Sequence, residues 1–245
     1  MSARDLRVRI FADGADLDSM ARLVENPLVS GFTTNPTLMR KAGVRDYKTF
    51  AREVLALVGD RPVSFEVFSD ELEEMERQAD VIASWGGNVF VKIPVTNTTG
   101  TFLGPLVERL SRRGVQVNVT ALMTAGQVAD VVGCLAEETS SFVSLFAGRI
   151  ADTGRDPMPV VADAVGLLTR RPKAQLIWAS SRELLNVFQA DSVGCQVITV
   201  TPDLLAKLPL IGKDLLEYSL ETVRMFREDA VKAGYSIETA LTQSA

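Results

Sequence analysis

Lys92 is the hardest residue in the sequence to place without a purpose. It lies in Asn88-Val89-Phe90-Val91-Lys92-Ile93-Pro94-Val95, a strand-like apolar run in which burying an ammonium is expensive. Two ordinary uses are open to it. One is an edge position, with the stem on apolar surface and the head in water; the other is a structural ion pair with Glu66. The chemical use is nucleophilic, because desolvation favours the neutral amine and a neutral amine can attack a ketone. Pro94 lacks an N–H, which stops further pairing and fixes the strand end beside the lysine.

Other polar residues recur where apolar runs end. Asp13, Asn35, Glu66, Asn118, Thr120, Ser144, Arg149, Ser180 and Arg182 each fall at or just beyond such an end. Singly, each has an ordinary explanation. Asp13 could cap the helix that follows, although Asp16 competes for that role. Asn35-Pro36 alone signals only a turn, and Arg149 alone could be a surface residue. Glu66 alternates with Phe65 and Val67, so it faces away from both; if that face is the interior, it needs a partner such as Lys92, Thr120 or ordered water. Arg149, Ser180 and Arg182 together would make a phosphate clamp. Several such residues at equivalent ends of separate strands suggest one shared site.

The chain that must position them has 245 residues, a net charge of -5 and no histidine. The missing histidine excludes Ser-His-Asp and Cys-His nucleophilic sites and histidine-based zinc sites. Acid and base work falls to Asp, Glu, Lys, Tyr, Cys or water. The acidic balance and the lack of a basic run argue against nucleic acid. No signal-like segment opens the chain and no apolar run reaches membrane-spanning length. Cys134 and Cys195 lack metal or redox spacing and are expected as buried, reduced thiols, which fits a cytoplasmic protein.

Short apolar runs alternate with amphipathic stretches. Strands are expected at 8–13, 29–33, 63–68, 88–93, 115–119, 142–146, 175–179 and 195–199. Helices are expected at 46–58, 71–85, 157–169, 202–207 and 213–233, among others. Strand–helix alternation implies parallel strands with right-handed crossovers. Eight units fit an α/β fold of the closed (β/α)8 TIM-barrel type, with an additional C-terminal helix. An open doubly wound sheet remains an alternative, although its glycine-rich signatures are missing. One domain over 1–245 is expected, with the barrel at about 8–208 and the helical extension at about 212–234.

Six segments in order give the chain a family likeness. They are Ala12-Asp13-Gly14-Ala15-Asp16, Thr33-Thr34-Asn35-Pro36-Thr37, Val91-Lys92-Ile93-Pro94-Val95-Thr96, Asn118-Val119-Thr120, Phe146-Ala147-Gly148-Arg149-Ile150 and Ala179-Ser180-Ser181-Arg182. Each is weak alone; together the chain resembles transaldolases and the smaller fructose-6-phosphate aldolases of the same class I aldolase superfamily. The resemblance implies a (β/α)8 barrel with the Schiff-base lysine on the fourth strand, where Lys92 falls. It implies that Asp13 takes the C4 hydroxyl proton in retro-aldol cleavage, and that Glu66 and Thr120, through a water, move protons as the imine forms and breaks. Asn35, Asn118 and Ser144 would bind the dihydroxyacetone hydroxyls, and Arg149, Ser180 and Arg182 the substrate phosphate.

The same resemblance implies a sugar-phosphate substrate, no metal, no organic cofactor and a homo-oligomer, as for enzymes of the pentose phosphate pathway. Glu66 and Phe146 resemble the transferases; the small aldolases more often have Gln and Tyr there. Transfer of a dihydroxyacetone unit is therefore the leading expectation. Cleavage releasing free dihydroxyacetone, or a barrel that binds a sugar phosphate without turnover, are the alternatives. Leu145, Trp178 and Ser181 depart from the pattern of the large transaldolases, and the first two fall close to the implied site.

Overall fold

The computed structural model describes residues 5–238, so the outermost residues of the expected domain, 1–4 and 239–245, lie outside the described residues. Eight parallel strands close into a barrel in chain order. They are β1 (Arg9–Asp13), β2 (Val29–Thr33), β3 (Val63–Glu66), β4 (Val89–Pro94), β5 (Val117–Leu122), β6 (Ser141–Leu145), β7 (Ala174–Trp178) and β8 (Val197–Val200). The helices between them are α1 (Leu17–Val24), α2 (Pro36–Lys41), α3 (Tyr47–Val58), α4 (Leu72–Ala83), α5 (Gly104–Arg112), α6 (Ala125–Cys134), α7 (Ala147–Asp152), α8 (Met158–Leu168) and α9 (Leu185–Ser192). After β8 comes the short α10 (Pro202–Leu205). The closed order removes the open-sheet alternative.

Several helices start where the sequence supplies caps. Asp16 accepts from the Ser19 N–H at 2.8 Å, Asn35 from Leu38 at 3.0 Å and Asp46 from Thr49 at 3.1 Å. Pro36 sits in the first turn of α2, where a missing N–H costs nothing. At the head of α6 Thr124 and Gln127 form a reciprocal capping box.

Strand alternation builds the interior in layers. Phe11, Phe90, Phe142, Ile177, Ala179 and Val197 fill the barrel, with Phe90 and Phe142 ring centres 4.2 Å apart and Phe11 edge-on to Phe142 at 5.5 Å. Two residues beyond an interior residue the side chain faces inward again. That spacing carries Phe11 to Asp13, Phe90 to Lys92 and Phe142 to Ser144. The polar residues thus stand one layer above an aromatic floor, at the carboxyl ends of the strands.

Most strand ends lie within one or two residues of expectation, and in β5 and β3 the difference has an identifiable reason. β5 runs three residues further than 119, because Ala121 adopts a left-handed backbone (φ 67°) and the pairing with β6 shifts register between Val119 and Leu122. β3 stops at Glu66, because the Phe68 and Ser69 N–H groups donate to the Gln78 side chain at 2.8 and 3.1 Å. Both cysteines are free; Cys195 is buried, whereas Cys134, expected to be buried, is only half-buried at the end of α6.

The barrel unit runs to Leu208, and the described residues from Pro209 to 238 belong to a separate compact unit. That unit contains α11 (Leu215–Lys232), capped by Asp214, none of whose residues is buried. Leu216, Leu220 and Val223 are exposed along it. Among the described residues no helix is long and apolar enough to cross a membrane.

Candidate active site

A cavity of about 390 Å³ opens above the aromatic floor. Of the residues expected at the site, Asp13, Asn35, Glu66, Lys92, Thr120, Ser144, Phe146, Arg149 and Ser180 line it. Their sources are β1, the start of α2, β3, β4, β5, β6, α7 and the turn after β7. One cavity lined from so many strand ends is the arrangement that barrel enzymes use.

Lys92 is 6% exposed. Its ammonium donates to the Thr34 carbonyl at 3.0 Å and lies 3.6 Å from Glu66 Oε2, an ion-pair contact rather than a hydrogen bond. Glu66 is the register partner of Lys92 on the neighbouring strand. Burial pushes its carboxyl above the usual range, an effect that the Lys92 charge partly offsets. Both polar groups of the Glu66 backbone are held by one side chain: Tyr47 Oη accepts from the Glu66 N–H at 2.7 Å and donates to its carbonyl at 3.1 Å.

Asp13 does not cap a helix, since Asp16 has taken that role. Its Oδ1 accepts from Thr33 Oγ1 at 2.8 Å. Burial raises its carboxyl too, opposed by the Lys92 charge and by the Thr33 hydroxyl. Thr120 Oγ1 is buried and makes no hydrogen bond, although its residue lines the cavity. A buried hydroxyl in that state carries a desolvation cost; the indole N–H of Trp178, away from the cavity, is in the same state.

Asn118 and Arg182 do not line the cavity. Asn118 is fully buried in a chain of hydrogen bonds, donating to Ser64 Oγ at 2.9 Å and accepting from Ser144 Oγ at 2.7 Å. It sets the direction of Ser144, which does reach the cavity. Arg182 turns instead to Asp152 and binds both carboxylate oxygens. Asn35 is part-committed: its Oδ1 caps α2, which leaves its amide nitrogen for a ligand.

Arg149 lies over the Phe146 ring at 5.5 Å, one residue after Gly148. A Cβ on Gly148 would stand 1.5 Å from the Ser180 carbonyl oxygen, so only glycine fits there. Ser180 has a left-handed backbone (φ 65°), a strained conformation of the kind that clusters at functional sites. Leu145 and Trp178 are register partners and completely buried. Alternation puts them on the face opposite Ser144 and Ile177, toward the helices, and neither lines the cavity.

The supporting residues were largely invisible in sequence. Tyr47 reads as an ordinary first-turn residue of a helix, and Ser64 as an ordinary strand serine. Only Gly148, inside Ala147-Gly148-Arg149, carries a signal: a glycine beside a candidate phosphate ligand can mark a close backbone approach.

The model of the transaldolase/fructose-6-phosphate aldolase family matches residues 10–243. A probable transaldolase of Dehalococcoides mccartyi is 37% identical over 194 residues, covering 79% of this chain and 86% of the relative. A probable transaldolase of a Thermoanaerobacter species is 32% identical over 231 residues, 94% of this chain and all of the relative. Among solved structures, a dihydrodipicolinate synthase from Rhodopseudomonas palustris aligns with a TM-score of 0.54 at 13% identity, covering 90% of this chain and 80% of that one. A putative phosphonomutase from Burkholderia cenocepacia aligns at 0.52 and 12% identity, over 91% and 94%. Those two share the fold alone.

Proposed function

The chain belongs to the transaldolase/fructose-6-phosphate aldolase family, and on that premise we propose that it transfers a dihydroxyacetone unit between sugar phosphates through a Schiff base on Lys92. Aldolase-type chemistry on sugar phosphates follows from the family; the residue roles and the choice of transfer over cleavage are our reading.

The observation that carries it is a buried ammonium 3.6 Å from one carboxylate and electrostatically coupled to a second, all three facing one cavity. In the proposed sequence Glu66 draws a proton from Lys92, and the neutral amine adds to the C2 ketone of a ketose phosphate. Loss of water, with protons moved by Glu66 and Thr120, leaves an iminium. Asp13 removes the C4 hydroxyl proton, the C3–C4 bond breaks, and its electron pair passes into the iminium. The aldose phosphate departs and a three-carbon enamine stays on Lys92. An acceptor aldehyde then takes the enamine's electron pair, and hydrolysis returns the lysine.

Asn35 and Ser144 would bind the hydroxyls of the three-carbon unit, with Asn118 holding Ser144. Arg149 and Ser180 would hold the phosphate from the cavity wall, and Arg182, which lies outside that lining, would reach it with the guanidinium edge that Asp152 leaves free. Phe146 would keep the enamine from being protonated before the acceptor arrives. A cytoplasmic location is part of the same reading, since two free cysteines suit a reducing compartment. So is self-association through the exposed apolar residues of α11, which light scattering tests directly.

The test of the central claim is borohydride reduction in the presence of fructose 6-phosphate, followed by peptide mass spectrometry. A three-carbon adduct on Lys92 is expected. Folded protein that gives no adduct with any ketose phosphate would remove the catalytic role of Lys92.

A further inference from the structure

The phosphate end of the cavity is assembled from two pieces of chain, and they are joined at both ends. One is α7, which carries Arg149; the other is the segment after β7, which carries Ser180 and, two residues on and outside the cavity lining, Arg182. At the start of α7 the Gly148 N–H donates to the Ala179 carbonyl at 3.3 Å, with the Ser180 carbonyl packed against Gly148. At its end Asp152 binds Arg182, Nε to Oδ1 at 2.9 Å and Nη2 to Oδ2 at 2.5 Å.

Both partners of that pair are about half exposed, so it contributes little as a stabilising salt bridge. Its geometry says more than its energy. A guanidinium carries five N–H donors in a rigid plane. Asp152 occupies the Nε–Nη2 edge. That leaves the Nη1–Nη2 edge as a second fork of the kind that grips phosphate oxygens bidentately. The hydrogen bonds from Arg182 hold the Asp152 carboxyl below its usual range, and the Arg149 charge acts in the same direction. Asp152 therefore stays ionised at neutral pH, close to both arginines.

We propose that Asp152 is a positioning residue for the phosphate subsite. It fixes Arg182 by one guanidinium edge and leaves the other for the substrate phosphate, beside Arg149 and Ser180. This rests on the assignment of Arg149, Ser180 and Arg182 as the phosphate clamp.

Asp152→Asn keeps the shape and removes the charge that orients the guanidinium. The measurements are KM and kcat with fructose 6-phosphate, the same with unphosphorylated fructose, and the inhibition constant of inorganic phosphate. KM for the phosphorylated sugar and the phosphate inhibition constant should both rise roughly 3- to 10-fold, with kcat changed by less than about twofold. Turnover of the unphosphorylated sugar should be unchanged, and Asp152→Glu should recover part of the loss.

Unchanged phosphate affinity in an Asp152→Asn protein that melts like the parent would overturn the proposal. So would an equal loss for both sugars, which would mean a structural effect, or tighter phosphate binding, which would mean that Asp152 competes for Arg182. Arg182→Ala separates this inference from its premise. If that variant leaves phosphate inhibition unchanged, the clamp assignment falls and the positioning role with it. If it weakens inhibition while Asp152→Asn does not, only the positioning role falls.

Discussion

Glu66 and Lys92 are register partners on adjacent strands, and their charged groups stand 3.6 Å apart with the ammonium almost fully buried. The ammonium also donates to the Thr34 carbonyl, so it is held from two sides while the cavity stays open above it. An ion pair kept only for stability could be replaced by apolar residues at little cost. One that faces a cavity lined also by a second carboxyl and an unbonded hydroxyl is what the proposed imine chemistry requires.

Glu66→Gln should slow imine formation without abolishing it. Gln fills the same space but cannot relay the proton. Rapid-quench borohydride trapping should show adduct formation slowed about 10- to 100-fold, with the same three-carbon mass on Lys92. The pH profile gives a second readout. Burial raises the Glu66 carboxyl above 4.5, so the parent should lose activity as pH falls through that raised value. The Gln variant should lose that component, leaving an acid limb due to Asp13. An unchanged profile and rate would assign Glu66 to structure.

Asp13→Asn should trade activity for stability. The folded-state carboxyl lies above its ordinary 3.8 because desolvation outweighs the attraction to Lys92 and the Thr33 hydroxyl. A carboxyl raised on folding binds its proton more tightly in the native state. Its ionisation therefore destabilises the fold as pH rises from 3.8 through the raised value. Asn keeps an acceptor for Thr33 and escapes that penalty. The variant should melt above the parent at pH 8, with the difference shrinking toward pH 4. With fructose 6-phosphate it should trap an intact six-carbon adduct. Three-carbon adduct at the parent rate would remove Asp13 as the base.

Thr120→Val probes the unbonded hydroxyl. Replacing a buried, unsatisfied hydroxyl by a methyl of the same shape should leave stability unchanged or raise it by about 1 kcal/mol. A loss of stability would show that the hydroxyl has a structural partner. Trapping of the imine should slow at the same time, since a proton carrier is gone. No change in either would leave Thr120 without a role.

How much of this was legible follows the physics of each feature. The barrel was, because each β/α unit carries its own local signal, an apolar run followed by a helical stretch, some of them opened by a capping Asp, Asn or Thr. Lys92 was, because a charge inside an apolar strand needs a reason. The cavity-facing set could be read from strand ends, since position on a parallel strand tells which way and how high a side chain points. What could not be read was support that depends on long-range approach. Tyr47 reaches the Glu66 backbone across 19 positions and Asp152 reaches Arg182 across 30. Neither leaves any periodic trace. Arg182 looked like a cavity residue because it follows a strand end, but a loop residue has no alternation to fix its direction. The bulge at Ala121 was hidden for another reason: alanine is not a residue that announces a left-handed backbone.

Gly148→Ala should damage both fold and phosphate binding. The added methyl meets the Ser180 carbonyl, which is backbone and cannot swing aside. A stability loss of about 2–4 kcal/mol is expected, together with a raised KM for phosphorylated substrate. Gly166→Ala is the control. Gly166 lies in α8 with nothing within 4 Å of the added carbon, so alanine should stabilise by about 0.5–1 kcal/mol and leave kinetics alone. Chemical denaturation of the two proteins, read with KM, checks both signs. Gly148→Ala at parental stability would mean that α7 and the Ser180 turn separate easily, against the tight joint described above.

Phe146→Tyr decides between transfer and cleavage. Phe146 is part-buried, lines the cavity and lies under the Arg149 guanidinium. Its ring offers no hydrogen-bonding group to a three-carbon enamine waiting on Lys92. A phenolic hydroxyl in the same place would supply one, able to donate a proton or anchor a water. Protonated enamine becomes iminium, and hydrolysis of that iminium frees dihydroxyacetone without an acceptor. The variant should therefore release free dihydroxyacetone from fructose 6-phosphate about 10-fold or more faster than the parent, while transfer to an added aldose phosphate declines. The assay is free dihydroxyacetone measured with and without acceptor. A parent that already releases it freely without acceptor is an aldolase, and the transfer reading fails. A transferring parent whose Tyr variant behaves identically would show that something other than Phe146 protects the bound three-carbon unit.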